Sequence, residues 1–175
     1  MNDANFVRCP GCAALLPKFA DPTHRYIGAS PSCWAIFADL NNAGVPPLAP
    51  APLNALLGDA YAAQHPGTPS PQAIQSVAVP LLALYGVLER DIVPGNVQWI
   101  RQRALRGERA GRFQWLEPPD FAGSLSVAGI VQAPTPVVQA GLVQEYVTQV
   151  WSSWSETHLA TVIRWYDGYV VADRL

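Results

Sequence analysis

The chain has 175 residues, of which half are hydrophobic and only 14% are charged, and its net charge is −2 at pH 7. This length fits one ordinary domain with its own core, and the composition excludes a disordered chain. Because no excess of positive charge is available to hold a polyanion, nucleic acid is not expected as a partner.

The cellular location is predicted from apolar runs and from the cysteine count. The first residues lack the apolar stretch of a signal peptide, and the longest apolar run, 77–88, is shorter than the ~20 residues that span a bilayer. We therefore expect a cytoplasmic protein without a membrane partner. Three cysteines in that compartment favour a metal site or free thiols over a structural disulfide.

All three cysteines lie in an N-terminal stretch that is rich in proline and glycine. Cys9 and Cys12 have the spacing at which two thiolates hold one metal ion in a tight turn, and thiolates favour zinc. Cys33 follows Ser30-Pro31, which has the residue types of a helix start, and a helix N-terminus stabilises a thiolate. We expect a bound metal, most simply zinc, to hold this stretch in shape.

A fourth ligand is needed, because closed zinc sites with three cysteines are completed by a histidine or another cysteine. His24 is preferred, since it lies between the cysteine pair and Cys33. His65, at the end of the predicted second helix, is the alternative. His158 is least favoured, because a lone histidine on a mostly apolar helix is more often a hydrogen-bonded core residue.

The helices are predicted from apolar spacing and from start and stop residues. Three of them start at a serine or threonine followed by proline, namely at Ser30-Pro31, Ser70-Pro71 and Thr135-Pro136. A helix over 53–64 ends at His65-Pro66-Gly67, because the residue before a proline disfavours the α conformation.

The remaining elements are less regular. A fourth helix starts near Pro94 and a short helical turn covers 126–131, while the last helix runs to about 169 and has serines at 152–155 that fit a break. The proline-rich run 45–52 predicts an extended connector, and strand signals are weak throughout. The predicted fold is all-α, a single domain over 1–175 with five or six helices, in which a zinc-knuckle-like segment (1–34) packs on one side of a helical body (35–175).

A second group of polar side chains comes from the end of the second predicted helix: Asp59, Tyr61, Gln64 and His65. As a catalytic group, Asp59 would orient His65 as a base or support it as a metal ligand. As a structural group, the four form a polar helix end, where His65 interacts favourably with the helix dipole. The structural interpretation is slightly favoured.

Four short motifs follow one another along the chain: Cys-Pro-x-Cys at 9–12, His-x-Tyr at 24–26, Ser-Pro-x-Cys-Trp at 30–34 and Tyr-x-x-Gln-His-Pro-Gly at 61–67. Their order resembles that of a bacterial family of small uncharacterised proteins, a domain of unknown function. The resemblance implies that Cys9, Cys12, His24, Cys33 and His65 belong to one constellation, and it implies no reaction. Ala13 and Asp91 stand where the family pattern has glycine, and Ala13 puts a left-handed turn after the cysteine pair in doubt.

Three hypotheses for function follow. The first is a helical protein with a structural zinc site that binds a protein or small-molecule partner. The second is a metal-dependent enzyme, hydrolase-like, with an open zinc position near Asp59 and His65. The third is a thiol-redox protein that uses Cys9 and Cys12.

Overall fold

The computed structural model of the protein describes residues 5–42, 52–106 and 113–172. Apart from Pro52, the predicted connector at 45–52 lies outside these ranges. The described chain is mostly helical, with six α-helices and one two-stranded sheet. The predicted all-α class is therefore confirmed.

The sheet is a small antiparallel hairpin around the cysteine pair. Strand β1 (Phe6–Arg8) pairs with β2 (Leu15–Pro17), and Val7 stands opposite Leu16. Each strand has three residues, which is too short for an alternating pattern to stand out in the sequence. The hairpin holds the two ends of the loop that carries Cys9 and Cys12.

The helices follow in chain order: α1 (Pro31–Asn42), α2 (Leu57–Gln64), α3 (Pro71–Leu88), α4 (Val97–Ala104), α5 (Val127–Val131) and α6 (Pro136–Tyr166). Short 3₁₀ turns, Pro52–Leu56 and Pro94–Asn96, precede α2 and α4, and a π-helical turn, Asp167–Val171, follows α6.

The three helix starts predicted from a hydroxyl residue before proline are confirmed. Ser70 Oγ accepts a hydrogen bond from Ala73 N at 3.1 Å, and Thr135 Oγ1 accepts one from Val138 N at 3.3 Å. Ser30 Oγ accepts from Cys33 N at 3.3 Å. Each side chain thus satisfies a backbone donor that has no partner inside its helix.

The break considered near 152–155 is absent, because α6 continues through these residues. The hydroxyls of Ser153 and Ser155 donate to the carbonyls of Gln149 and Ser152, both at 3.1 Å. Serines that bond back to the helix in this way stay inside it rather than capping a new segment.

Helix α3 forms the centre of the core and packs against α2, α4 and α6. Among the described residues it is long and apolar enough to cross a membrane by length and composition alone, and 56% of it is buried inside the protein. Its burial against three other helices is what a core helix requires. Helix α2 packs against both α3 and α6. At its end, the Trp154 indole donates to Ala63 O and the Tyr146 hydroxyl donates to Gln64 Oε1, both at 3.0 Å, so α6 holds the end of α2.

Candidate metal centre

Four buried side chains from three separate parts of the chain converge beside the hairpin. The sulfurs of Cys9, Cys12 and Cys33 and one ring nitrogen of His65 all lie within 4.8 Å of one another. Cys12 Sγ is 3.9 Å from Cys33 Sγ, and Cys33 Sγ is 3.3 Å from His65 Nε2. Such a Cys₃His group could hold a metal ion.

The loop between the strands presents its two thiols through a tight turn. Cys9 N donates to Ala14 O and Ala13 N donates to Cys9 O, both at 2.9 Å. Ala13 is left-handed, with φ of 59°, so the turn that the alanine put in doubt is present. Asp91, the other position where the family pattern has glycine, is left-handed as well, with φ of 53°.

Cys33 enters from the first turn of α1. The cap by Ser30 fixes the helix start, and Ser30 N donates to Cys9 Sγ at 3.4 Å. The partial positive charge of the helix N-terminus and this N–H both stabilise negative charge on the sulfurs. The serine thus links the hairpin loop to the helix.

His65 enters from the end of α2, where its backbone leaves the helix. Its Nδ1 lies 2.8 Å from Tyr61 O, and a carbonyl can only accept, so Nδ1 carries a proton and donates it. Nε2 is the ring nitrogen that faces Cys33 Sγ, and it could bind a metal once it is deprotonated. Gly28 N donates to His65 O at 2.8 Å. Histidine ligands in metal sites are commonly oriented by such a bond from the other ring nitrogen.

His24, the preferred fourth ligand from sequence, does not belong to this group. It is exposed, its Nδ1 accepts a hydrogen bond from Tyr26 N at 3.3 Å, and its ring lies 5.4 Å from that of Trp34. His158 is also elsewhere, with Nε2 2.8 Å from Glu117 O. Nearness in sequence favoured His24, but the chain returns at the end of α2 and brings His65 to the thiols instead.

The four polar candidates of α2 divide between three environments. Tyr61 and His65 are at the candidate metal centre, where the Tyr61 hydroxyl donates to Cys33 Sγ at 3.7 Å. Gln64 is buried in the core, where its Nε2 donates to Leu125 O at 2.8 Å and its Oε1 accepts from the Tyr146 hydroxyl at 3.0 Å.

Asp59 forms a two-bond ion pair with Arg101. Arg101 Nε donates to Asp59 Oδ1 at 3.1 Å, and the Arg101 Nη2 amino group contacts Asp59 Oδ2. Sequence reasoning missed Arg101 as a partner, and 42 residues separate the two side chains. A contact between residues so far apart in sequence cannot be predicted from a local sequence pattern.

The thiols and the imidazole of this group lie so close together that each one changes the pKa of the others. Hydrogen bonds to Cys12 and Cys33 hold the pKa of the Cys9 thiol far below its usual range, and the same kind of contacts to Cys12 and Cys9 raise the pKa of Cys33. Burial lowers the pKa of His65, but its hydrogen bonds to Cys12 and Cys9 outweigh burial and raise it to about 9. A divalent cation would relieve this competition, because it stabilises several buried thiolates at once.

The chain matches one protein family over residues 7–155, described as a family of unknown function (DUF5946). No curated protein and no solved structure matches it. The match covers the metal-centre residues and all the α-helices but the end of α6. The chain therefore belongs to this family of unknown function.

Proposed function

We propose that this protein binds one zinc ion through Cys9, Cys12, Cys33 and His65, that the ion is structural, and that the helical domain acts by binding a small ligand or a protein partner. The observation that carries the proposal is the convergence of four buried donor atoms within 4.8 Å.

The spacing of the donors supports zinc. Tetrahedral zinc, with Zn–S of about 2.3 Å and Zn–N of about 2.0 Å, separates two sulfurs by roughly 3.8 Å and a sulfur from a nitrogen by roughly 3.5 Å. The corresponding distances here are 3.9 Å between Cys12 and Cys33 and 3.3 Å between Cys33 and His65. Three soft thiolates and an imidazole also favour zinc over calcium or magnesium.

A structural role is supported by the closed character of the centre. Four protein ligands fill a tetrahedral ion and leave no position for water. The most exposed of the four, Cys12, is only 2% accessible. The ion would fasten the N-terminal segment to the end of α2, which is itself held by α3 and α6.

The enzyme and redox alternatives have less support. An enzyme with an open zinc site needs a free metal position and a proton-transfer group beside it, whereas the Asp59 carboxylate is paired with Arg101. A redox pair needs accessible sulfurs, whereas Cys9 and Cys12 are buried.

We also propose that the protein is cytoplasmic and that its partner is neither a nucleic acid nor a membrane. The net charge of −2 and the three free cysteines support it.

Elemental analysis of protein purified with a reductant and without chelator tests the metal. We expect stoichiometric zinc in the wild type, loss of zinc in Cys9→Ser and weakened retention in His65→Ala. His24→Ala is the matched control and should keep its zinc. Absence of metal from the wild type, or loss of zinc in His24→Ala alone, would overturn the proposed ligand set.

X-ray absorption at the zinc edge tests the structural role. Three sulfurs and one nitrogen, with no oxygen ligand, are expected. An oxygen ligand in the wild type would favour the open, catalytic alternative instead.

A further inference from the structure

A cleft of about 370 Å³ lies beside the metal centre, between α1, α2, α3 and α4. Its walls are largely aromatic and aliphatic, formed by Trp34, Phe37, Tyr61, Val79, Pro80 and Leu105. We propose that this cleft binds a small, uncharged, planar aromatic molecule. The inference rests on the proposed function in one respect, namely that the domain acts by binding a ligand.

The aromatic walls argue for a planar ligand. The rings of Phe37 and Tyr61 stack at 3.9 Å with only 9° between their planes, and Trp34 is tilted against both, at 5.6 Å and 6.0 Å. Trp34 and Phe37 are only partly buried, so apolar ring surface remains open to the cleft. Another ring can cover that surface by offset or tilted packing.

The charges in the cleft argue for an uncharged ligand. Asp59 and Arg101 are the acidic and basic side chains among its lining residues, and they are already paired with each other. Arg101 also donates to Ala55 O at 3.1 Å and to Gln98 Oε1 at 3.2 Å. A charged ligand would find no free counter-charge in this pair, and separating the pair would leave the buried Asp59 unpaired.

The remaining polar lining orients a ligand without demanding a charge. His24, Gln75 and Ser76 also line the cleft. The Ser76 hydroxyl donates to Gln72 O at 2.8 Å, so it is left with acceptor lone pairs. A ring N–H at the edge of the ligand would suit this hydroxyl.

Tyr61 belongs to both the cleft and the metal centre. Its ring lines the cleft and stacks on the His65 ring at 4.1 Å, while its hydroxyl donates to Cys33 Sγ. Tyr61 is itself only 1% exposed and also stacks on Phe37, so a molecule in the cleft would pack on the partly exposed rings of Trp34 and Phe37. Phe37 in turn contacts the side chain that bonds to Cys33. The metal would fix this wall of the cleft in place.

The inference is tested by measuring, with ligand-observed NMR, how tightly three indoles bind to the zinc-loaded full chain. Indole is uncharged, indole-3-acetate is anionic and tryptamine is cationic, and all share one ring system. We expect indole to bind at least ten times more tightly than either charged analogue. Absence of indole binding, or equal or tighter binding of a charged analogue, would overturn the inference.

Two glycines provide a blocking variant and its matched control. Gly58 lines the cleft on α2 and Gly141 lies on α6 outside it, and a Cβ atom at either position meets no other atom within 4 Å. Gly58→Phe should weaken indole binding at least tenfold, and Gly141→Phe should leave it unchanged. Equal effects of the two substitutions would place the binding site elsewhere.

A second cleft variant keeps the test valid if Gly58→Phe does not fold. Leu105 is 42% exposed, so Leu105→Ala removes apolar wall with little effect on folding, and it should weaken indole binding severalfold. Zinc content is measured on the same samples. A zinc-loaded wild type that binds no indole refutes the cleft inference alone, whereas protein without zinc refutes the proposed metal centre whether or not indole binds.

Discussion

A Cβ atom at Gly11 would lie 2.5 Å from Cδ2 of His65. The same atom would also lie 2.7 Å from Gln64 O. The backbone of the loop between Cys9 and Cys12 therefore lies so close to the end of α2 that no side chain fits between them. A side chain here cannot be accommodated by a small rotation, because the neighbouring atoms include backbone. The position of the His65 imidazole relative to the thiols therefore depends on glycine at residue 11.

Gly11→Ala tests this dependence. The added methyl would push His65 away from the thiols, and we expect a loss of about 1–3 kcal/mol in the free energy of unfolding, the range for overpacked sites. Zinc affinity should fall with it. Urea unfolding of zinc-loaded protein and competition with a chelator measure the two effects. Gly95→Ala is the control, because a Cβ there meets no atom within 4 Å, and a similar loss in both variants would contradict the explanation.

The left-handed turn after the cysteine pair predicts a stabilising substitution. Ala13 adopts a φ of 59°, which is unfavourable for a residue with a Cβ atom. Ala13→Gly should raise the free energy of unfolding by about 0.5–1 kcal/mol. Asp91→Gly should give a smaller gain, because aspartate tolerates this conformation better. Denaturant midpoints measure both.

The control for Ala13→Gly is the same change in a helix. Ala140→Gly, in α6, should lower the free energy of unfolding by up to about 1 kcal/mol, because glycine is a poor helix former. A loss of stability in Ala13→Gly would show that its backbone conformation carries no strain.

The features that local chemistry determines could be predicted from the sequence. The starts of α1, α3 and α6 depend on a hydroxyl residue and the proline beside it, and both are visible without knowledge of the fold. The metal-ligand spacing of Cys9 and Cys12 is local in the same way.

The features that depend on distant parts of the chain could not be predicted. The choice of His65 over His24 depends on contacts such as Gly28 N to His65 O, which join segments far apart in sequence. The pairing of Asp59 with Arg101 depends on how α4 packs, and no periodicity encodes it. The aromatic cleft likewise exists only once four helices are assembled.

The Asp59–Arg101 pair predicts a dependence of stability on pH. Burial raises the pKa of Asp59 from 3.8 to about 6, and the nearby Arg101 only partly offsets this rise. Between about pH 4 and pH 6 the folded protein therefore holds a proton on Asp59 that the unfolded chain has released. The contribution of this group, up to roughly 3 kcal/mol, is present below pH 4 and is lost as the pH rises to 6.

Comparison of the wild type with Asp59→Asn isolates this contribution. Both proteins have the proposed metal centre, so any loss of metal in acid would affect them equally. The free energy of unfolding of the wild type minus that of Asp59→Asn should decrease between pH 4 and pH 6 and level off above. Urea titrations at several pH values measure the difference. A difference that instead grows with pH would mean that ionisation of Asp59 beside Arg101 stabilises the fold.

We expect the hydroxyl of Tyr61 to support metal affinity more than the stability of the fold. In Tyr61→Phe the ring can still stack on Phe37 and His65, and only the hydrogen bond to Cys33 Sγ is lost. Partners that support metal ligands are commonly worth about 10–100-fold in metal affinity. We expect zinc to bind about tenfold more weakly to Tyr61→Phe in chelator competition.

Tyr146→Phe is the matched control, since it removes a second buried tyrosine hydroxyl that donates to Gln64 Oε1 rather than to a proposed ligand. Loss of that donor leaves a buried acceptor without a partner and should lower the free energy of unfolding by about 1–3 kcal/mol. Its zinc affinity should change much less than that of Tyr61→Phe. Equal zinc affinities in the two variants would show that the hydroxyl at Tyr61 supports the fold and not the metal, because the two substitutions differ mainly in whether the lost donor faces a sulfur.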